Sequence, residues 1–215
     1  MVATGNISRG KGVRHGWRTT VLARYLALVL PACAGSSADV TSPPSGSPPA
    51  GLGRGARVLF IGNSLTAGND LPGMVRSLAE AAGLDWHVEA ELHGGAGLQQ
   101  HWERGRAQAR IRAERWDAVV LQQGPSSLPD SRENLRRWAG EFDLLVREAG
   151  GRSALYMVWP ESGRIAWFDR VRDSYALAAR DFQGWFLPAG DSWRAAWAEE
   201  PELPLYGSDG FHPTP

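Results

Sequence analysis

From about residue 57 onward, short apolar runs alternate with longer stretches of helical period. Arg57–Ile61 (RVLFI) closes at Gly62 and predicts a buried strand. Apolar residues at 71, 74, 75, 78, 79 and 82 recur at helical spacing, so Leu71–Ala82 is expected to be a helix. Trp86–Leu92 alternates as a second strand, and Leu98–Glu114 is a polar, arginine-rich surface helix. Ala118–Leu121 (AVVL) is a third strand, and Arg132–Ala149 a helix stopped by Gly150-Gly151. Ala154–Trp159 reads as a fourth strand, Arg164–Phe182 as a helix and Trp185–Pro188 as a short fifth strand. Asp191–Glu200 is a short helix capped by Asp191 or Ser192. Five apolar strands separated by helices imply an α/β fold with a parallel sheet covered on both faces. In such sheets functional groups gather beyond the carboxyl ends of the strands, here after residues 61, 92, 121, 159 and 188.

The first fifty-five residues do not share this pattern. Arg9, Lys11, Arg14, Arg18 and Arg24 precede a short apolar stretch, Tyr25–Pro31, and then small residues to Ser37. That order is the one of a secretory signal. Cys33, the single cysteine, has Leu30 at −3 and Ala32 at −1, which resembles a bacterial lipobox with Pro31 at −2. Residues 1–34 are therefore expected to be a signal segment and Cys33 the lipidated residue, giving a membrane anchor. Ala32-Cys33-Ala34 also fits an A-x-A site, so cleavage after Ala34 and plain secretion stays open. Either route exports the protein, as a cell-envelope lipoprotein or a secreted or periplasmic one. Residues 35–55 are Gly, Ser, Pro and Ala with almost nothing apolar, and are expected to form a disordered tether before a domain at 56–215.

Composition narrows the classes. With 43% hydrophobic and 21% charged residues in 215, the chain can bury one core and is not collagen-like, a coiled coil or disordered throughout. One cysteine excludes an internal disulfide. Formal net charge is zero, yet residues 56–215 carry 17 arginines against 22 acidic residues, an acidic body that argues against nucleic-acid binding. No apolar run reaches the ~18 residues that a bilayer crossing needs.

Four blocks, three of them at predicted strand ends, carry candidate chemistry. After the first strand comes Gly62-Asn63-Ser64-Leu65-Thr66, where a serine can present Oγ and its own N–H at the sheet edge. Thr66 stands where an α/β-hydrolase elbow has its second glycine, so that elbow is unsupported, and a helix-capping serine is the plain alternative. After the second comes His93-Gly94-Gly95-Ala96-Gly97-Leu98, whose glycines can aim N–H groups at an anion. It lacks the dinucleotide fingerprint, and the chain has no phosphate-binding G-x-x-x-x-G-K-[ST]. After the third, the amides of Gln122 and Gln123 either face a developing oxyanion or bond local backbone. Near the end, Asp209-Gly210-Phe211-His212-Pro213 puts an acid three residues before a histidine, able to hold the ring through Nδ1 while Nε2 faces outward. The histidines at 15, 87, 93, 101 and 212 show no metal-ligand spacing; His101 is read as closing the first turn of its helix or lining the site rim.

Taken in order, these blocks resemble the SGNH (GDSL-like) hydrolase family. Val58–Thr66 is similar to its nucleophile block with Asn63 in place of the usual Asp, Gly94-Gly95-x-x-Leu98 to its second block, and Ser208–Pro213 to its last. The third block departs, having no Gly-x-Asn-Asp; Gln123-Gly124 is similar instead to the Gln-Gly of the carbohydrate acetylesterase branch. The resemblance spans about residues 56–215. It implies a flavodoxin-like three-layer α/β/α sandwich with a five-stranded parallel sheet, and ester hydrolysis through an acyl-Ser64. His212 would be the base, with Asp209 holding its tautomer. The implied oxyanion donors are Ser64 N–H, a glycine N–H (Gly95 in preference to Gly97) and the Gln123 amide. Short-chain acyl esters, acetylated carbohydrates among them, are the implied substrates, and no metal, cofactor or protein partner is implied. Trp159 and Trp167 are either sugar-stacking surfaces or core, whereas Trp116, Trp138, Trp185 and Trp193 are assigned to packing. Family members usually continue past the His-Pro block into a helix; this sequence ends at Pro215, so either the sequence is truncated or His212 lies on a terminus with little to hold it, and such ends fray. Two other readings are a non-catalytic surface lipoprotein that binds glycans with the same fold, and a nucleotide or flavin binder. Ser64, Asp209 and His212 together argue against the first, the missing phosphate motifs against the second.

Overall fold

The apolar runs become one parallel sheet of five strands among the described residues, which are 51–215 of a computed structural model. The strands are β1 (Arg57–Gly62), β2 (His87–Leu92), β3 (Ala118–Leu121), β4 (Arg152–Tyr156) and β5 (Trp185–Leu187). Their order is β2-β1-β3-β4-β5, the flavodoxin-like winding. β1 lies in the middle, with Val58 level with Val88 of β2 and Ala118 of β3.

Alternation along the strands splits the core in two. Leu59, Ile61, Val119, Leu121 and Leu155 face one side. There they pack on α3 (Leu98–Arg104), α4 (Arg106–Ala113), α5 (Pro129–Glu148) and α6 (Phe168–Asp181) through Leu98, Ile111, Leu135, Phe142, Val171 and Tyr175. Trp193 and Trp197 of α7 (Ala189–Glu199) join this side. Val58, Phe60, Ala118, Val120 and Ala154 face the other, against Leu71 and Val75 of α2 (Leu71–Ala81), with Leu52 and Trp86. A right-handed crossover explains the division, because only the β1-to-β2 connection runs leftward across the sheet.

Several boundaries differ from the sequence reading. The helix expected over Leu98–Glu114 is two, broken at Gly105, whose φ of +76° would cost an L-residue about 1–2 kcal/mol. α5 starts earlier than expected, with Pro129 in its first turn, where the missing N–H removes no bond. The start of the expected Arg164–Phe182 helix is a separate 3₁₀ segment, Ser162–Trp167. α7 is preceded by Pro188, so neither Asp191 nor Ser192 caps it.

The signal segment, Cys33 and residues 35–50 lie outside the described residues. Residues 51–55, read as tether, are held on the sheet: Gly55 N–H donates to Leu84 O at 2.7 Å, Trp86 Nε1–H donates to Gly53 O at 2.9 Å, and Leu52 packs on the second face. Leu52 supplies the apolar anchor that the residues before it lack. The other end is held too. Thr214 N–H donates to Leu205 O at 3.0 Å, Asn69 Nδ2–H donates to Thr214 O at 2.6 Å, and Tyr206 bridges to Pro213. The expected fraying after His212 is therefore corrected: the last residues double back on 204–207 and on the turn after Ser64.

Candidate active site

β1 runs directly into a single helical turn, α1 (Ser64–Ala67), capped by Asn63, whose Oδ1 accepts the Leu65 N–H at 3.0 Å. Ser64 is thus the first helical residue rather than the cap, and its N–H has no intrahelical acceptor. Gly62 allows the close approach on which this turn depends. A Cβ there would lie 2.5 Å from Gln122 Oε1 and 2.7 Å from Thr66 Oγ1.

Gln122 is 1% exposed and clamps the serine turn. Its Oε1 accepts from Asn63 N–H at 2.9 Å and from the Thr66 hydroxyl at 2.8 Å, and its Nε2 donates to Asn63 Oδ1 at 3.0 Å and to Gln123 O at 2.6 Å. Both lone pairs and both hydrogens of the amide are engaged. The role was not foreseen from sequence, although a polar side chain ending a buried strand must find partners somewhere. Gln123 is also buried: Oε1 accepts from Leu98 N–H at 3.1 Å and Nε2 donates to Ser126 Oγ at 2.9 Å, so one amide hydrogen stays uncommitted.

The glycine block closes the same space. Asn63 Nδ2–H donates to Ala96 O at 2.9 Å, and a Cβ on Gly97 would touch Gln123 Oε1 at 3.2 Å. Gly97 N–H donates to Gln100 Oε1 at 2.9 Å, which leaves Gly95 with the unengaged N–H of the two. His101 closes the first turn of α3, its N–H donating to Gly97 O at 3.2 Å, and is buried rather than on the rim. Its Nε2–H donates to Gly62 O at 2.8 Å, and burial pushes its pKa down, keeping the ring neutral.

The final loop brings the other candidates to Ser64. His212 Nε2 lies 2.8 Å from Ser64 Oγ, and Nδ1 lies 2.5 Å from Asp209 Oδ2. A carboxylate accepts, so Nδ1 carries the proton and Nε2 offers its lone pair to the serine hydroxyl. The His212 bond, then the N–H groups of Phe211 and His212 on Oδ1 (3.0 Å each), hold the Asp209 carboxyl well below its ordinary range, at about 2. Trp159 positions this loop: it is buried, stacks on Trp193 at 3.6 Å, and donates Nε1–H to Phe211 O at 2.9 Å. The packing reading therefore holds for Trp159, while Trp167 is half-buried between the Arg164 and Arg170 guanidinium groups.

A serine hydroxyl with an imidazole nitrogen aligned on it makes an arrangement suited to nucleophilic attack on a carbonyl. Elsewhere among the described residues, His87, Glu89 and Glu114 bring one ligand atom each within 4.8 Å of one another. Arg110 and Arg57 already hold the two carboxylates as ion pairs, at the end of the sheet opposite Ser64.

No protein-family model and no curated protein matches the chain. Solved structures do. A candidate SGNH hydrolase from Slackia heliotrinireducens superposes with a TM-score of 0.62 at 29% identity, over 75% of this chain and 91% of that one. The fold is that of the SGNH hydrolases. An acetylxylan esterase from Geobacillus stearothermophilus, crystallised as a catalytic mutant, gives a TM-score of 0.59 at 16% identity over 76% of this chain and 89% of that one. A lipase/acylhydrolase from Enterococcus faecalis gives 0.57 at 17%, over 74% and 87%. These two share the fold.

Proposed function

We propose that the protein is an ester hydrolase that works through an acyl-Ser64 intermediate. The observation that carries this is the continuous Asp209–His212–Ser64 line, at 2.5 and 2.8 Å, on the SGNH fold. As Ser64 Oγ attacks the ester carbonyl, its proton passes to His212 Nε2, and Asp209 stabilises the imidazolium. The C–O bond to the alcohol then breaks, with His212 returning the proton to the leaving oxygen. Water, deprotonated by the same nitrogen, releases the acid and restores Ser64. Negative charge on the carbonyl oxygen falls among Ser64 N–H, Gly95 N–H and the free hydrogen of Gln123.

Acetylated carbohydrates are the proposed substrates. The Gln123-Gly124 pair and the likeness to an acetylxylan esterase both support this reading. Purified protein should release acetate from acetylated xylo-oligosaccharides and hydrolyse an aryl acetate faster than an aryl palmitate. Failure on every ester would overturn the assignment and favour glycan binding without turnover.

Gln123→Ala should lower kcat by ~10²–10³ with KM little changed, because an oxyanion donor acts mainly in the transition state. A rise in KM alone would make Gln123 a ground-state contact. Export also remains part of the proposal, supported by the basic, apolar and small-residue order before Cys33. With lipidated Cys33 as the first mature residue, Cys33→Ser should shift the protein out of the membrane fraction or leave unprocessed precursor. A mature N-terminus at Gly35 in mass spectrometry would mean plain secretion.

A further inference from the structure

The donors proposed around the carbonyl oxygen differ in how they are fixed. Ser64 and Gly95 donate from the backbone, whereas Gln123 must hold a rotatable side chain still. An amide free to turn would have to be ordered as the transition state forms, and that would add to the barrier.

The Gln123 amide is held at both ends. Its Oε1 accepts from Leu98 N–H at 3.1 Å, and because that group can only donate, the amide oxygen must lie at this end. Its Nε2 donates to Ser126 Oγ at 2.9 Å, and the Ser126 hydroxyl passes its own hydrogen to Gly124 O at 3.1 Å. That carbonyl is anchored in turn. Tyr175, fully buried on α6, accepts Gln123 N–H at 3.2 Å. It shares its hydroxyl hydrogen between Gln123 O at 2.6 Å and Gly124 O at 3.0 Å. With one hydrogen of Nε2 committed to Ser126, the direction of the other is set.

Ser126 keeps this place under backbone strain. Its φ is +55°, a left-handed conformation that few residues with a Cβ adopt. Glycine would adopt it freely but would bring no hydroxyl. Ser126 is also buried, so bulk water does not stand in for that hydroxyl. A strained, buried serine whose side chain ends on Gln123 is placed to orient the amide rather than to make the turn.

We propose that Ser126 is a positioning residue for ester hydrolysis, its hydroxyl fixing the Gln123 amide so that the free hydrogen meets the developing oxyanion. The inference rests on the esterase reading. Ser126→Ala should lower kcat on an aryl acetate about tenfold, the worth of one neutral hydrogen bond, with KM little changed. Ser126→Gly should lose as much activity, although it relieves the backbone and should unfold at no lower denaturant concentration than Ser126→Ala. Activity that instead follows stability across the two variants would make Ser126 structural and overturn the proposal. The decisive comparison is made in Gln123→Ala. There, Ser126→Ala should change kcat by less than about twofold, because no amide remains to orient. A further tenfold loss in that background would show Ser126 acting independently of Gln123, and would overturn this role while leaving the esterase reading intact. Wild-type protein without turnover on any ester would overturn the esterase reading, and this role with it.

Discussion

Ser64→Ala is expected to lower ester turnover on the order of 10⁶-fold while the protein stays folded. Oγ is the attacking atom, and in serine hydrolases loss of the nucleophile alone removes nearly all the benefit of the whole catalytic set. The residual rate over water should remain about 10³–10⁴-fold, because Ser64 N–H, Gly95 N–H and Gln123 survive the change. Folding should be almost untouched: the side-chain hydroxyl makes one hydrogen bond, to the half-exposed His212, and the turn is held by Asn63 and Gln122 instead. A change within about 0.5 kcal/mol is the expectation for such a site, measurable by denaturant unfolding. A fluorophosphonate should label Ser64 and leave the variant unlabelled. Unchanged turnover in folded Ser64→Ala would overturn the mechanism, and a labelled peptide containing Ser126 or Ser127 would move the nucleophile to the loop after β3.

The comparison of pattern with structure shows where local chemistry suffices. β3 was legible to the residue because four apolar side chains in a row, all buried, admit little else. The candidate triad came from a resemblance, since a GxS after β1 and a DxxH in the loop after α7 are each weak signals alone; the structure puts the three side chains in contact. Gln122 was not, since three of its four bonds depend on Asn63 and Thr66, residues 56 to 59 positions away, reaching it from the end of β1. Nor was the split at Gly105: an isolated glycine in a helical pattern is tolerated as often as it ends one, and only the packing of Leu98, Ala107 and Ile111 into the core decides. The secured C-terminus belongs to the same class, because Leu205, Tyr206 and Asn69 hold it through tertiary bonds that no periodicity records.

Asp209→Asn separates the acid's two tasks. Oδ1 shapes the loop by accepting the N–H groups of Phe211 and His212, and an Asn carbonyl can keep both bonds. Oδ2 accepts from His212 Nδ1, and there the Asn amide would present hydrogens instead. The ring then answers with the other tautomer, its proton on Nε2 facing Ser64, where it can no longer serve as base. Loss of about 10⁴ is typical when such an acid is buried. The Asp209 side chain is 52% exposed, so water partly substitutes and a loss of ~10²–10³ in kcat is expected. Asp209→Ala should lose a similar factor, and full activity in the Asn variant beside loss in the Ala variant would reduce Asp209 to a loop-shaping role. The pH profile supplies an independent check. A carboxyl held near 2 contributes above the ordinary carboxylate range and ceases only as pH falls through about 2. Asp209 therefore stays ionised wherever the enzyme is assayed, and it should add no proton of its own to the acid limb of kcat/KM. A second proton entering above about pH 4 would show that Asp209 titrates in the working range and is not held as the structure has it.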